Sequence, residues 1–175
     1  MTDLQINLLG PPEIRWEQQL INVNRRIPRT LLFYLASQGK FVGRGKLLNL
    51  FWENSSPKVA RSRLREALSR IRAEIPDPNV LTIHNDLVGL DISKSYVYQR
   101  LFLNLLDSIG NQPWTISPDK ALHETTLQTM VRAANLWRGS QFMEGAELPS
   151  TRLLEDWWQQ SNLQLTHLRT RLFIR

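Results

Sequence analysis

Ser56-Pro57-Lys58-Val59-Ala60-Arg61-Ser62-Arg63-Leu64-Arg65-Glu66-Ala67-Leu68-Ser69-Arg70-Ile71-Arg72-Ala73-Glu74-Ile75 is the stretch on which the reading of this chain turns. Ser56 followed by Pro57 is an N-cap with proline at the first helical position, and Pro76-Asp77-Pro78 stops the helix after Ile75. A helix advances about 100° per residue. Around such a helix Ala60, Leu64, Ala67, Leu68, Ile71 and Ile75 fall within one stripe about 100° wide, which marks the core face. Ser62, Arg65, Glu66, Ser69 and Ala73 fall on the opposite face. Arg61 and Arg72 line one flank, and Arg63 and Arg70 line the other.

That distribution fits duplex DNA. Small residues at the centre of the exposed face let a helix sit deep in a major groove, while arginines on both flanks reach the phosphate walls. Arg65 has the length for a bidentate contact to guanine O6 and N7, and Ser62 and Ser69 can donate or accept at a base edge. Glu66 is suited either to accept from a cytosine amino group or to pair with Arg70 at i,i+4. Between Lys58 and Arg72 six basic residues (Lys58, Arg61, Arg63, Arg65, Arg70, Arg72) face one acid, Glu66, whereas a merely solvated helix usually mixes signs. The whole chain carries a net charge of +6, so most of its basic excess is concentrated in this helix.

Outward from it, the pattern toward the N-terminus gives two shorter helices. Leu31, Leu32, Leu35 and Ala36 recur at helical spacing after Pro28, with Gly39 as the stop. A second helix runs from Arg44 to Trp52 on Leu47, Leu48, Phe51 and Trp52, with Gly43 at its start and the loop Glu53-Asn54-Ser55-Ser56 after it. Arg44 and Lys46 at that start are placed either to hold a DNA phosphate with the help of free backbone N–H groups or to lie in a solvated turn. Farther upstream, Leu4/Ile6/Leu8, Glu13–Trp16 and Leu20–Val23 alternate as short strands around the Gly10-Pro11-Pro12 turn, which predicts a small antiparallel sheet. Downstream, Val80–Ile83 and Leu87–Ile92 read as a hairpin around His84-Asn85-Asp86. Two short helices, a basic helix and a hairpin, in that order, are the parts of a winged helix-turn-helix. The wing is thinly equipped: Val88-Gly89-Leu90 carries no cation, so His84 or Asn85 must supply any minor-groove contact.

Past Ile92 only helices are predicted: Val97–Ile109, Asp119–Trp137 and Thr151–Phe173, with Gly110–Pro118 and Gly139–Pro149 between them. The expected division is 1–92 for the winged helix-turn-helix and 93–175 for a helical module, and the fold class is α+β. Trp157 and Trp158 are adjacent, so one is expected inside and the other near the surface, with core packing or a partner as the two uses. Leu154, Trp157, Trp158, Leu165, Leu168 and Leu172 make the last helix apolar enough to pack on further helices or a second copy.

Taken together, Leu4–Ile14, Arg29–Ala36, Lys46–Trp52 and above all Ala60–Arg72 resemble the bacterial antibiotic-regulatory-protein-like transcription regulators, and Ala134–Gly139 and Glu155-Asp156-Trp157 are similar to patches of their helical half. The resemblance implies a response-regulator-type winged helix followed by a tetratricopeptide-like bacterial transcriptional activator domain. It implies sequence-specific double-stranded DNA binding on repeated sites, which a homodimer would suit, and regulation of transcription through RNA polymerase, touched by the Glu53–Pro57 loop. The helical part, about 80 residues by this division, is shorter than that activator domain. The expectation is therefore a partial copy of it, in a piece of a longer regulator or in a shortened member.

Composition excludes several alternatives. With 42% apolar and 22% charged residues the chain is ordinary for a globular protein and long enough to bury a core. No run reaches the roughly 18 apolar residues of a membrane helix, and no basic flank and apolar stretch open the chain as a signal peptide does; a cytoplasmic location is expected, without membrane partners. The absence of cysteine removes disulfides and thiolate chemistry. His84, His123 and His167 are too scattered for a metal. Gly43-Arg44-Gly45-Lys46 lacks the spacing of a phosphate loop, and no Ser/His/Asp set is placed as a triad. No enzyme activity, cofactor or metal is expected. The rival from another class is a protein-interaction adaptor acting through the helical half; RNA binding is disfavoured because no stacking aromatics accompany the arginines.

Overall fold

The computed structural model describes residues 4–110 and 123–173. The basic helix, α3, spans Pro57–Glu74. Its start is fixed as the sequence dictates: Ser56 Oγ accepts the Val59 N–H at 3.4 Å, and Pro57 takes a position whose missing N–H costs nothing. Ala60, Leu64, Ala67, Leu68 and Ile71 are buried, and every residue from Arg61 to Ala73 outside that stripe is exposed. Burying a side chain such as Leu64 or Ile71 contributes about 1.5–3 kcal/mol.

Two helices pack against that stripe. Helix α1 (Arg26–Gln38) buries Leu31, Leu32 and Leu35 and ends on Gly39 in the left-handed conformation, φ 62°. Helix α2 (Arg44–Trp52) buries Leu47, Leu50, Phe51 and Trp52. Before α2 the chain makes a two-residue strand, β4 (Val42–Gly43), too short for any alternation to announce it. After α3, Asp77 caps a short 3₁₀ turn at Pro78–Val80, and β5 (Leu81–His84) and β6 (Leu87–Leu90) form the expected hairpin with only Asn85 and Asp86 in its loop. Asn85 takes a positive φ of 53°, a conformation asparagine tolerates. β6 lies between β4 and β5 in a three-stranded antiparallel sheet, which anchors the hairpin to the start of α2.

The N-terminal strands β1 (Leu4–Asn7), β2 (Glu13–Trp16) and β3 (Gln19–Ile21) form the antiparallel meander the alternation predicts. A fourth strand, β7 (Ser95–Val97), joins it parallel to β1, with Ile6 opposite Val97, so the sheet is mixed rather than antiparallel. Helix α4 therefore begins at Tyr98, one residue later than predicted, and runs to Ile109. Helix α5 spans Glu124–Ala134 and α6 spans Arg152–Arg171. The predicted loop after Gly110 and the first residues of the helix predicted from Asp119 lie outside the described residues; at its far end that helix stops three residues before Trp137.

Residue 93 falls in a tight turn in which the Asp91 carboxylate accepts from Ser93 N and Oγ. The chain on its two sides shares one buried cluster, from Leu4 and Ile6 through Leu64 to Phe102, Phe142 and Leu165. Backbone bonds cross between the halves as well: Arg138 N–H donates to Leu9 O and Met143 N–H to Leu8 O, both at 2.8 Å. Gly10 and Gly139 sit where the two backbones meet; a Cβ on Gly10 would lie 2.5 Å from Gly139 N. Tyr34 of α1 meets Trp157 of α6 edge-on at 5.0 Å, and Thr151 Oγ1 donates to Leu50 O at the end of α2. Both tryptophans of the adjacent pair are half-buried against the core, Trp158 donating its indole N–H to Phe142 O. The pair thus serves packing, and neither ring stands out as a surface anchor.

Candidate nucleic-acid interface

Lys58, Arg61, Ser62, Arg63, Arg65, Ser69 and Arg70 are all exposed on the outer half of α3. Lys58, Arg61, Arg65 and Arg70 have no ion-pair partner among the described residues. An unneutralised row of this kind costs self-repulsion, and a polyanion relieves it.

The two flanks of α3 face different neighbours. On one side a cleft of about 630 Å³ brings Lys58, Arg61 and Arg65 together with Arg44 at the start of α2 and with Asn85 and Asp86 at the hairpin tip. The Arg44 N–H donates to Asp86 O at 2.8 Å, so the tip is tethered to α2. That bond also spends one of the backbone donors expected to be free for a phosphate at this helix start. Lys46 is exposed and His84 is exposed on β5, but neither lines the cleft. Of the two wing candidates it is Asn85 that stands beside the arginines. Arg72, expected to grip a phosphate, donates from Nη2 to Leu81 O at 3.1 Å and so ties the end of α3 to β5.

On the other side Arg63 and Arg70 face the start of α1. Here the structure adds two cations that the reading of the basic helix did not include, Arg25 and Arg26, which share a cleft of about 340 Å³ with Trp52, Arg63 and Arg70. Glu66 pairs with Arg25 at 3.1 Å rather than with Arg70. Asn24 N–H donates to Glu74 Oε2 at 2.8 Å, which holds the chain before α1 alongside α3. The signal for Arg25 and Arg26 was their place at the N-cap and first residue of a helix, the end where the peptide dipole disfavours cations. Arg63 itself reaches back to Ser55 Oγ at 3.2 Å, and Glu53 accepts the Arg152 N–H at 3.1 Å, so the 53–57 loop is braced by α3 and α6.

No group of three or more metal-ligating side chains gathers among the described residues. Nor is any helix among them long and apolar enough to cross a membrane.

No protein-family model matches the chain, and no curated protein matches it. Among solved structures it is similar to EmbR of Mycobacterium tuberculosis, determined in complex with a low-affinity phosphopeptide, with a TM-score of 0.71 at 18% sequence identity. The match covers 99% of this chain and 44% of that one, so the chain spans less than half the length of EmbR. At that identity the likeness is one of fold: a mixed α+β architecture, sheet-rich at its N-terminus and then helical, shared over almost all of the chain.

Proposed function

We propose that the protein is a sequence-specific double-stranded DNA-binding regulator of transcription. In this reading α1, α2 and α3 with the β5–β6 hairpin form a winged helix-turn-helix, α3 enters the major groove, and the helices after β7 are a partial tetratricopeptide-like module. The observation that carries it is the exposed face of α3: Ser62, Arg65 and Ser69 at the centre, with Arg61 and Arg70, unpaired among the described residues, on opposite flanks. The likeness in fold to EmbR supports the same architecture. RNA polymerase as partner through the 53–57 loop, a homodimer on repeated sites and a cytoplasmic location belong to this proposal, as does the absence of catalysis. Asn85 at the hairpin tip takes the minor-groove role in place of His84.

A salt titration with duplex selected from a random pool tests it. Affinity should fall linearly with salt on logarithmic axes, by about 0.9 in slope for each phosphate contacted. Arg65→Ala should cost about 1–3 kcal/mol and relax the preference at one position. If Arg61→Ala, Arg65→Ala and Arg70→Ala combined leave binding unchanged, α3 does not read DNA. The adaptor reading draws on Leu127 and Val131, exposed one turn apart on α5; it predicts no salt-dependent duplex binding at all.

A further inference from the structure

The cleft at the start of α1 is more cationic than the DNA-reading helix alone requires. Arg25, Arg26, Arg63 and Arg70 converge on it from two elements, against the single carboxylate of Glu66. Arg26 and Arg70 have no partner among the described residues. The helix that opens there has no side-chain cap and no acid of its own in its first turn, so its positive end carries two arginines against the one carboxylate that Glu66 offers Arg25. Trp52 lines the same cleft while only 6% exposed, and its buried indole N–H has no hydrogen-bond partner among the described residues. Buried donors are nearly always paired, so an unpartnered indole N–H on a residue that lines a cationic cleft suits an acceptor bound beside it.

From these observations we infer that the cleft is a binding site for a phosphate group, held by Arg26 and Arg70 with the start of α1. Planar guanidinium forks from two directions match a tetrahedral oxyanion. The Arg25–Glu66 pair is solvent-exposed and therefore weak enough for Arg25 to exchange its carboxylate for the incoming anion. The source that follows from the proposed function is a phosphodiester of the DNA backbone on the wall of the groove opposite Arg44 and Arg61. The site itself depends on that reading only for this source, because a free phosphate presents the same chemistry.

The Arg26→Ala, Arg70→Ala double variant of the whole chain separates the cases. Both side chains are exposed and unpaired among the described residues, so the fold is kept, which far-UV circular dichroism checks; Arg26→Lys, Arg70→Lys keeps the charge without the forks and should restore part of the binding. On a mixed-sequence duplex the alanine variant should bind on the order of tenfold more weakly, with a salt slope smaller by about 0.9, one phosphate's worth. In parallel, inorganic phosphate is titrated into the free protein while the Trp52 indole N–H is followed by ¹⁵N NMR. A shift abolished by the alanine variant, with duplex affinity unaltered, supports the site with a free phosphate as its source. The same shift in a protein that binds no duplex leaves the site standing and removes the DNA reading. If neither the duplex slope nor the Trp52 resonance responds to the substitutions, the inference is overturned.

Discussion

Gly10 shows how little room single residues have at the join between the two halves. Its φ of 117° is a region that side chains with a Cβ rarely adopt, and the added carbon would press on Gly139 N at 2.5 Å and Arg138 C at 2.8 Å. Both clashes are with backbone, which cannot swing away. Gly10→Ala should therefore destabilise by about 1–3 kcal/mol, read as a lower urea midpoint with an unchanged slope. An unchanged midpoint would mean that the two loops are free to separate. Gly139 is confined from the other side: a Cβ there would lie 2.9 Å from Gly10 Cα and would meet the end of Glu144, whose Oε2 accepts from Ser140 N–H at 2.7 Å.

Among elements, α3 divides its arginines between two tasks. Arg72 crosses to the hairpin and bonds Leu81 O, whereas Arg61 points into the open cleft beside Arg44. Arg72→Met should lower stability by about 1–2 kcal/mol, because a charge-assisted bond to a main-chain carbonyl is lost. Arg61→Ala should leave thermal stability within about 0.5 kcal/mol and weaken duplex binding instead. Thermal melting and a binding titration on both variants check the contrast; equal losses of stability would erase it. The angular reading placed Arg61 and Arg72 on one flank correctly, since helix geometry fixes direction. It could not separate their uses, because the carbonyl that engages Arg72 belongs to a strand folded back from beyond the helix stop.

For the whole molecule, the continuous buried cluster predicts cooperative unfolding. Tryptophan fluorescence, which reports from Trp16 and Trp52 before residue 93 and from Trp137, Trp157 and Trp158 after it, and far-UV circular dichroism should give one coincident transition. Two separated transitions would show that the chain divides near residue 93. Acid should weaken the same join. Burial pushes the Glu13 carboxyl upward, but hydrogen bonds from Arg15 and Arg138 outweigh it and hold the group below its ordinary 4.5. The Asn79 N–H lowers Asp77, the Ser93 hydroxyl lowers Asp91, and the Ser140 N–H lowers Glu144. A carboxylate depressed in the folded state contributes stability that is present above its unfolded value and lost as pH falls through the folded one. Melting temperature should thus hold from pH 7 to about 5 and decline steadily below about 4.5, and Glu13→Gln should flatten part of that decline.

By itself the sequence determined most of the elements and the character of the basic helix. Its 3.6-residue stripe, the Ser56-Pro57 start and the Pro76 stop are local signals, and so are the alternation of the first strands and the turn at Asn85-Asp86, each settled by neighbours a few residues apart. β4 and β7 escaped because strands of two and three residues carry no period of their own; each exists only through its partner, β6 in one case and β1 in the other. Arg25 and Arg26 escaped for the same reason at the level of charge. They stand more than thirty residues from Arg63 and Arg70, and only the packing of α1 on α3 makes the four one cationic surface. So the basic helix with which the reading began was legible from its own residues, but which of its arginines are free, which one is a strut and which are joined by others was decided by the tertiary fold, because a side chain's partner is set by what lies beside it in space.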